Sequence, residues 1–174
     1  MTFLNFLNKL SGIKWKKVEI MFRGKFKHSL DEKGRFSLPA KFREVLRVKY
    51  GSENLVVTNY PDCLVAYPVE EWRKLEEKLM SLPWHIPEVR RYIRYFLGSA
   101  EECQPDKQGR ILLSQLLREE IKLEKEVVFL GVGTYFEIWN PKDLESEFKE
   151  TKENFDKIIQ IINPYLTGVK DLLP

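Results

Sequence analysis

Long apolar runs are missing from this chain of 174 residues, and nothing in it approaches the roughly 18 uninterrupted apolar residues that a membrane helix needs. Cysteine is nearly absent: Cys63 and Cys103 are the only two. A pair so placed does not make a disulfide framework, and it fits a reducing cytoplasm. Histidine is equally scarce, with His28 and His85 alone, and two His and two Cys this scattered show no metal-ligand spacing. There is no Gly-rich phosphate loop and no nucleophile elbow. No catalytic residue, metal, cofactor or small-molecule substrate is therefore expected. Net charge is low as well, at +3.

That small sum hides an uneven distribution. Residues 14 to 49 carry twelve Lys and Arg against Glu19, Asp31, Glu32 and Glu44, a local excess of eight, so the remainder of the chain sums to −5. A basic block of this kind is the electrostatic footprint of a polyanion partner. Hydrophobic content of 43% and aromatic content of 13% are globular values, enough for a real core in one domain or two small ones.

The basic block contains the stretch that organises the chain. Asp31 to Arg43 reads DEKGRFSLPAKFR and returns as DKQGRILLSQLLR from Asp106 to Arg118, at a constant offset of 75. Asp followed three residues later by Gly reads as a tight turn, because the carboxylate accepts backbone N–H bonds and Gly tolerates φ > 0. Asp31, Gly34, Asp106 and Gly109 are thus structural. Arg35 opens a short strand in which Phe36 and Leu38 share one face while Arg35 and Ser37 share the other, so Arg35 is expected to face water or a ligand. Pro39 and Ser114 suit helix starts, and the pairs Phe42/Leu46 and Leu117/Ile121 give each short helix an apolar stripe.

The repeat runs on into a hairpin. Leu55 to Thr58, a turn, and Leu64 to Pro68 match Val127 to Leu130, a turn, and Phe136 to Asn140, now at an offset of 72. Ahead of the first turn, Phe22 to Leu30 should form a strand with Phe22, Gly24, Phe26 and His28 on one side and Arg23, Lys25, Lys27 and Ser29 on the other. His28 reads as a structural histidine. After Pro68 a helix is expected with Trp72, Leu75 and Leu79 on one stripe. The segment Leu82 to Pro87 breaks it, and a second helix follows through Val89, Ile93 and Phe96 to Gly98. Asn140 and Pro141 start a last helix, whose stripe runs through Leu144, Phe148, Phe155, Ile159 and Ile162 and invites packing on a neighbouring subunit or on its own domain. The expected class is α+β, β-rich, with a pseudo-two-fold internal repeat. Residues 21–98 form the first half with its helical pair, 99–145 the second half, and 146–174 a C-terminal helix and tail. Residues 1–20 are an extension without a counterpart, open to three readings, a membrane-surface or partner helix, a disordered tail, or a translation start assigned too early; we favour the third, because Met21 stands where the repeat begins.

With both D-x-x-G-R units, the opening MFRGKFKHSLDEKGRFSLPAKFR and the later FEIW, the chain resembles the MraZ family of bacterial transcription regulators built from two SpoVT/AbrB-like halves. The resemblance implies a swapped-hairpin β-barrel for each half, a ring-shaped homo-oligomer (octamer or larger), and binding to short direct repeats in double-stranded DNA upstream of its own operon, the division and cell-wall cluster. It implies a cytoplasmic, nucleoid-associated protein. The family's D-x-x-x-R positions fall on Asp31 and Arg35 and on Asp106 and Arg110. Ser114 replaces the expected proline.

On the residues themselves, Arg35 with Lys25, Lys27, Lys33, Lys41 and Arg43 can contact phosphates and offer an arginine to guanine in the major groove. Arg110 sits in a less basic setting and is expected to contribute less. An antitoxin-like AbrB-fold module that binds protein instead is the alternative, with 146–174 as its partner segment. An RNA reader would need exposed aromatics, whereas Phe22, Phe26 and Phe36 fall on the apolar side.

Overall fold

A computed structural model describes residues 20–165. The N-terminal extension before Ile20 and the tail beyond Tyr165 lie outside the described residues, and so do the expectations that fall on them. In chain order the elements are β1 (Phe22–Ser29), β2 (Arg35–Ser37), α1 (Ala40–Val45) with a π-helical turn Leu46–Tyr50, β3 (Leu55–Tyr60), β4 (Cys63–Pro68), α2 (Val69–Met80), α3 (Pro87–Phe96), β5 (Glu101–Cys103), β6 (Arg110–Leu112), α4 (Gln115–Glu120), β7 (Glu126–Gly133), β8 (Tyr135–Trp139), α5 (Pro141–Glu153) and α6 (Phe155–Ile162).

Six strands form one antiparallel sheet in the order β1-β7-β8-β4-β3-β5, and β2 pairs with β6 in a separate two-stranded ribbon. Written as repeat positions, the opening strand of each half lies against the hairpin of the other: β1 on β7, and β5 on β3. The two hairpins meet through β4 and β8, where Val65 faces Glu137, its own equivalent. In the ribbon Phe36 faces Ile111, again its own equivalent. A pseudo-two-fold axis thus passes through both pairings. The swap implied by the family resemblance is an exchange between the halves of one chain, and the strands flanking each D-x-x-G-R turn go to different sheets rather than to each other.

Why the chain adopts this arrangement follows from its apolar pattern. Residues Leu55, Val56, Val57 and Thr58 are all buried, as are Cys63, Leu64, Val65 and Ala66, because β3 and β4 have a strand on either side and are covered on both faces. One face closes over Phe22, Phe36, Phe42, Phe129 and Phe136 from both halves, whose rings meet edge-on at 5.0 to 5.3 Å. The other face packs Val56, Val65, Val128 and Trp139 beneath Trp72, Ile93, Phe96 and Leu144 from α2, α3 and α5. His28 stands edge-on to Phe129 at 5.5 Å, and burial lowers its pKa, as a structural histidine requires.

Local signals set the helix ends. Ser114 Oγ accepts the Leu117 N–H, and Asn140 Oδ1 accepts the Lys142 N–H ahead of Pro141. Pro39 stands at the cap itself, one step before the first turn. The last helix, expected as one long stripe, breaks at Asn154, whose φ of −107° and ψ of 13° leave the helical region while its side-chain amide donates to the Glu150 carbonyl. Asn competes in this way with the backbone ladder.

The pairing of β1 with β7 sets Gly24 opposite Gly131. A Cβ on Gly131 would overlap the backbone of Phe22 and Arg23. Gly131→Ala is therefore expected to cost about 1–3 kcal/mol through overpacking against backbone that cannot rotate away. Denaturant unfolding checks this, and an unchanged midpoint would contradict the pairing.

Candidate functional site

Each D-x-x-G-R stretch folds into the same clasp. Asp31 Oδ1 accepts the N–H groups of Lys33 and Arg35, both at 2.9 Å, and Asp31 Oδ2 accepts Arg35 Nε at 2.8 Å. Asp106 does the same for Gln108, Arg110 and the Arg110 guanidinium, at 2.9, 3.0 and 2.8 Å. Gly34 and Gly109 both take a φ of +74°, a left-handed conformation that glycine adopts without Cβ strain. Charged hydrogen bonds of this kind favour the ionised acid. The Arg35 guanidinium and backbone hold the Asp31 carboxyl below its ordinary range, and Arg110 holds Asp106 down to about 2.

The β2–β6 ribbon brings the two clasps together. Arg35 lies opposite Leu112 and Ser37 opposite Arg110, so the outward side of the ribbon carries both arginines. Arg35 Nη1 stands 3.9 Å from the carboxylate of Asp106, linking one clasp to the other. Each guanidinium side chain keeps just over a quarter of its surface exposed, 27% for Arg35 and 28% for Arg110. Arg35 lies on the outward side of the ribbon, but its Nε/Nη2 edge is committed to Asp31 and its Nη1 lies towards Asp106, so it is braced and not a freely swinging side chain. Arg110 is held in the same way by Asp106.

The sequence-predicted cations are not one patch. Lys33 is exposed at the tip of the first clasp. Lys25 and Lys27 lie on the outer face of β1, where Lys27 pairs with exposed Glu126 at 2.8 Å and Lys25 Nζ sits 5.1 Å from the Phe148 ring of α5. Lys41 is on the other side of that strand, its Nζ 5.9 Å from the ring of Phe26.

Arg43 departs furthest from expectation. Its guanidinium binds Glu53 at 2.9 and 3.4 Å and lies against Gly109, where a Cβ would overlap it. It supports the clasp of the other half and is not a free cation. Arg118, its equivalent, does the reciprocal job beneath Gly34, where a Cβ would stand 3.0 Å from its Cζ. Sequence reasoning missed Arg118 and Glu53, although the signal was present: both halves keep an arginine nine residues after the turn glycine. Arg118 Nε is buried without a hydrogen-bond partner, so the two supports are not equivalent in charge compensation.

Among the described residues no group of three His, Cys, Asp or Glu could hold a metal ion, and no helix is long and apolar enough to cross a membrane. Burial raises the thiol pKa of Cys103 to about 11 and pushes that of Cys63 up further, so neither thiol is disposed to act as a nucleophile.

Comparison with known proteins finds a family model described as "MraZ protein, putative antitoxin-like" that matches twice, over residues 21–94 and 96–160. A protein of Syntrophobacter fumaroxidans called "Transcriptional regulator MraZ" is 47% identical over 141 residues, 81% of this chain and 93% of its own. Proteins of the same name from Caldanaerobacter subterraneus and Pediococcus pentosaceus are 41% and 45% identical, covering 83% and 80% of this chain and 99% and 95% of their own.

A carboxylate whose folded pKa lies below its unfolded value stabilises the fold fully above about pH 4, and that contribution fades as pH falls towards 2. Asp106→Asn is expected to flatten the acid limb of stability against pH across that window while lowering stability at neutral pH. Thermal melts across the range measure it, and an acid limb identical to the unaltered protein would contradict the clasp.

Proposed function

This chain belongs to the MraZ family, and from that premise we propose that it is a transcriptional regulator that binds double-stranded DNA with its paired Asp–Arg clasps. It acts in the cytoplasm, at the nucleoid, on short direct repeats ahead of its own division and cell-wall operon. A ring-shaped homo-oligomer supplies the valency. The repeats at 21–98 and 99–145 form the reader, and 146–174 is an appendage to it.

The observation that carries this reading is the side-by-side placement of two identically braced arginines on the outward face of a narrow ribbon. A two-stranded ribbon is slim enough for the major groove. An arginine fixed along one edge loses less freedom when its other N–H groups meet a phosphate or a base edge than one that swings freely. The neighbouring lysines supply charge: Lys33 at the clasp tip, and Lys25, Lys27 and Lys41 around β1. The Lys27–Glu126 pair is exposed and worth no more than about 1 kcal/mol, so a phosphate can replace its carboxylate. One clasp pair binds weakly; several on one ring, engaging spaced repeats, gain a factor of about 10² to 10⁴.

Arg35→Ala is expected to abolish specific gel shifts at moderate salt with unchanged elution volume, a loss of about 1–3 kcal/mol per clasp multiplied over the ring. Lys25→Ala or Lys27→Ala weakens binding to all sequences alike and lowers the slope of log K against log salt by about one for each phosphate that is no longer neutralised. Specific binding that persists in Arg35→Ala sinks the reading.

A second reading, an antitoxin-like module that binds protein, is favoured by α6, none of whose residues is buried although five of its eight are apolar. Capture of a protein from cells by residues 146–174, surviving nuclease treatment and abolished when Ile161 is changed to Glu, supports it; capture that vanishes with nuclease returns the case to DNA.

A further inference from the structure

The end of α2 and the turn to α3 expose four apolar side chains at every second position: Met80 at 55%, Leu82 at 36%, Trp84 at 41% and Ile86 at 37%. Such a cluster on a surface marks an interaction site. We propose that this turn is a rigid apolar knob that seats Trp84 in the groove between α5 and the outer face of the sheet of a second copy of this chain. The inference rests on the oligomer proposed above and names the surfaces that build it.

The knob is built before it docks. Trp84 Nε1 donates to the Met80 carbonyl at 3.2 Å, Ile86 N–H donates to Pro83 at 3.0 Å, and the Arg90 guanidinium ties down the carbonyls of Trp84 and His85 at 2.9 and 3.1 Å. Pro83 and Pro87 restrict what is left. A preorganised tryptophan with an arginine behind it costs little entropy to bury and is the residue type that dominates binding interfaces.

The groove has the complementary character. Leu130, Val132, Trp139, Leu144 and Phe148 line it, in a space of about 400 Å³. Its lining includes no residue of the turn, so the knob does not fill its own groove. Charge contributes as well: Asp62, Glu137 and Glu147 are at the groove, whereas α3, which leaves the knob, exposes Arg94, and Arg91 in a solvent-exposed pair with Glu88 at 3.8 Å that a carboxylate of the groove can replace. Opposite charges flanking an apolar centre steer association and fix register. Since knob and groove are different surfaces of one chain, the contact is head-to-tail and propagates from copy to copy, closing into a ring when the rotation allows.

The test uses the full chain, with mass read by size-exclusion chromatography and light scattering, and folding read by thermal melts. Trp84→Glu or Ile86→Glu spoils the knob, and Val132→Glu spoils the groove. Each is expected to run as a single chain with its fold kept. Mixing Trp84→Glu with Val132→Glu leaves one intact knob and one intact groove, so the mixture forms a dimer and nothing larger, whereas Ile161→Glu on α6 keeps the full oligomer. If the unaltered protein is itself a single chain, the oligomer reading fails. If it is an oligomer that Trp84→Glu leaves intact, or that Ile161→Glu dissolves instead, or if the mixture gives no dimer, the knob-and-groove contact is overturned.

Discussion

The structure depends on an exchange: the strand that opens each half completes its hydrogen bonds on the hairpin of the other. β1 lies on β7 and β5 on β3, in registers that are images of each other under the internal repeat. Neither half can bury its own phenylalanines without its partner, since Phe22 and Phe42 of the first pack against Phe129 and Phe136 of the second. Burial of these rings, worth about 1.5–3 kcal/mol each, is therefore shared between the halves. Folding one half alone would leave an open sheet edge and an uncovered aromatic face.

From that exchange the functional surface follows. Because the opening strand leaves for the other half's hairpin, the segment after each turn pairs with its twin, and the ribbon sets two Asp–Arg clasps beside each other. The same symmetry explains why Arg43 and Arg118 each support the opposite turn. The two turns are mutual scaffolds. Their surroundings differ, for Ser37 and Lys41 on the first copy correspond to exposed Leu112 and Leu116 on the second. The second copy thus exposes leucines where the first exposes a serine and a lysine.

Much of this was legible in the order of residues. The repeated turn, the role of its aspartates, the apolar faces of the strands and the caps at Ser114 and Asn140 all follow from local chemistry, which the structure obeys. Pairing partners were not legible, because a strand's period-2 pattern states which face is apolar and nothing about which strand lies alongside it. The same blindness misplaced Arg43: a basic residue near a basic motif looks like a ligand contact until the glycine it covers, 66 positions on at Gly109, is known. The alternation of the strand places Arg35 outward but is silent on its tether, because an Asp-x-x-Gly turn announces the carboxylate's backbone bonds and not its guanidinium partner. Lys25, Lys27 and Lys41 were close in sequence and are divided by β1 in space. The break at Asn154 was hidden inside an unbroken apolar period.

Hydrogen exchange of the whole protein, with and without a duplex recovered by enriching genomic fragments on it, tests the central claim most directly. Slowed exchange confined to both ribbon segments, residues 31–38 and 106–113, on that duplex and not on a scrambled one is the predicted result. Protection of only one segment, or of neither while the duplex stays bound, would contradict a reader made of two clasps.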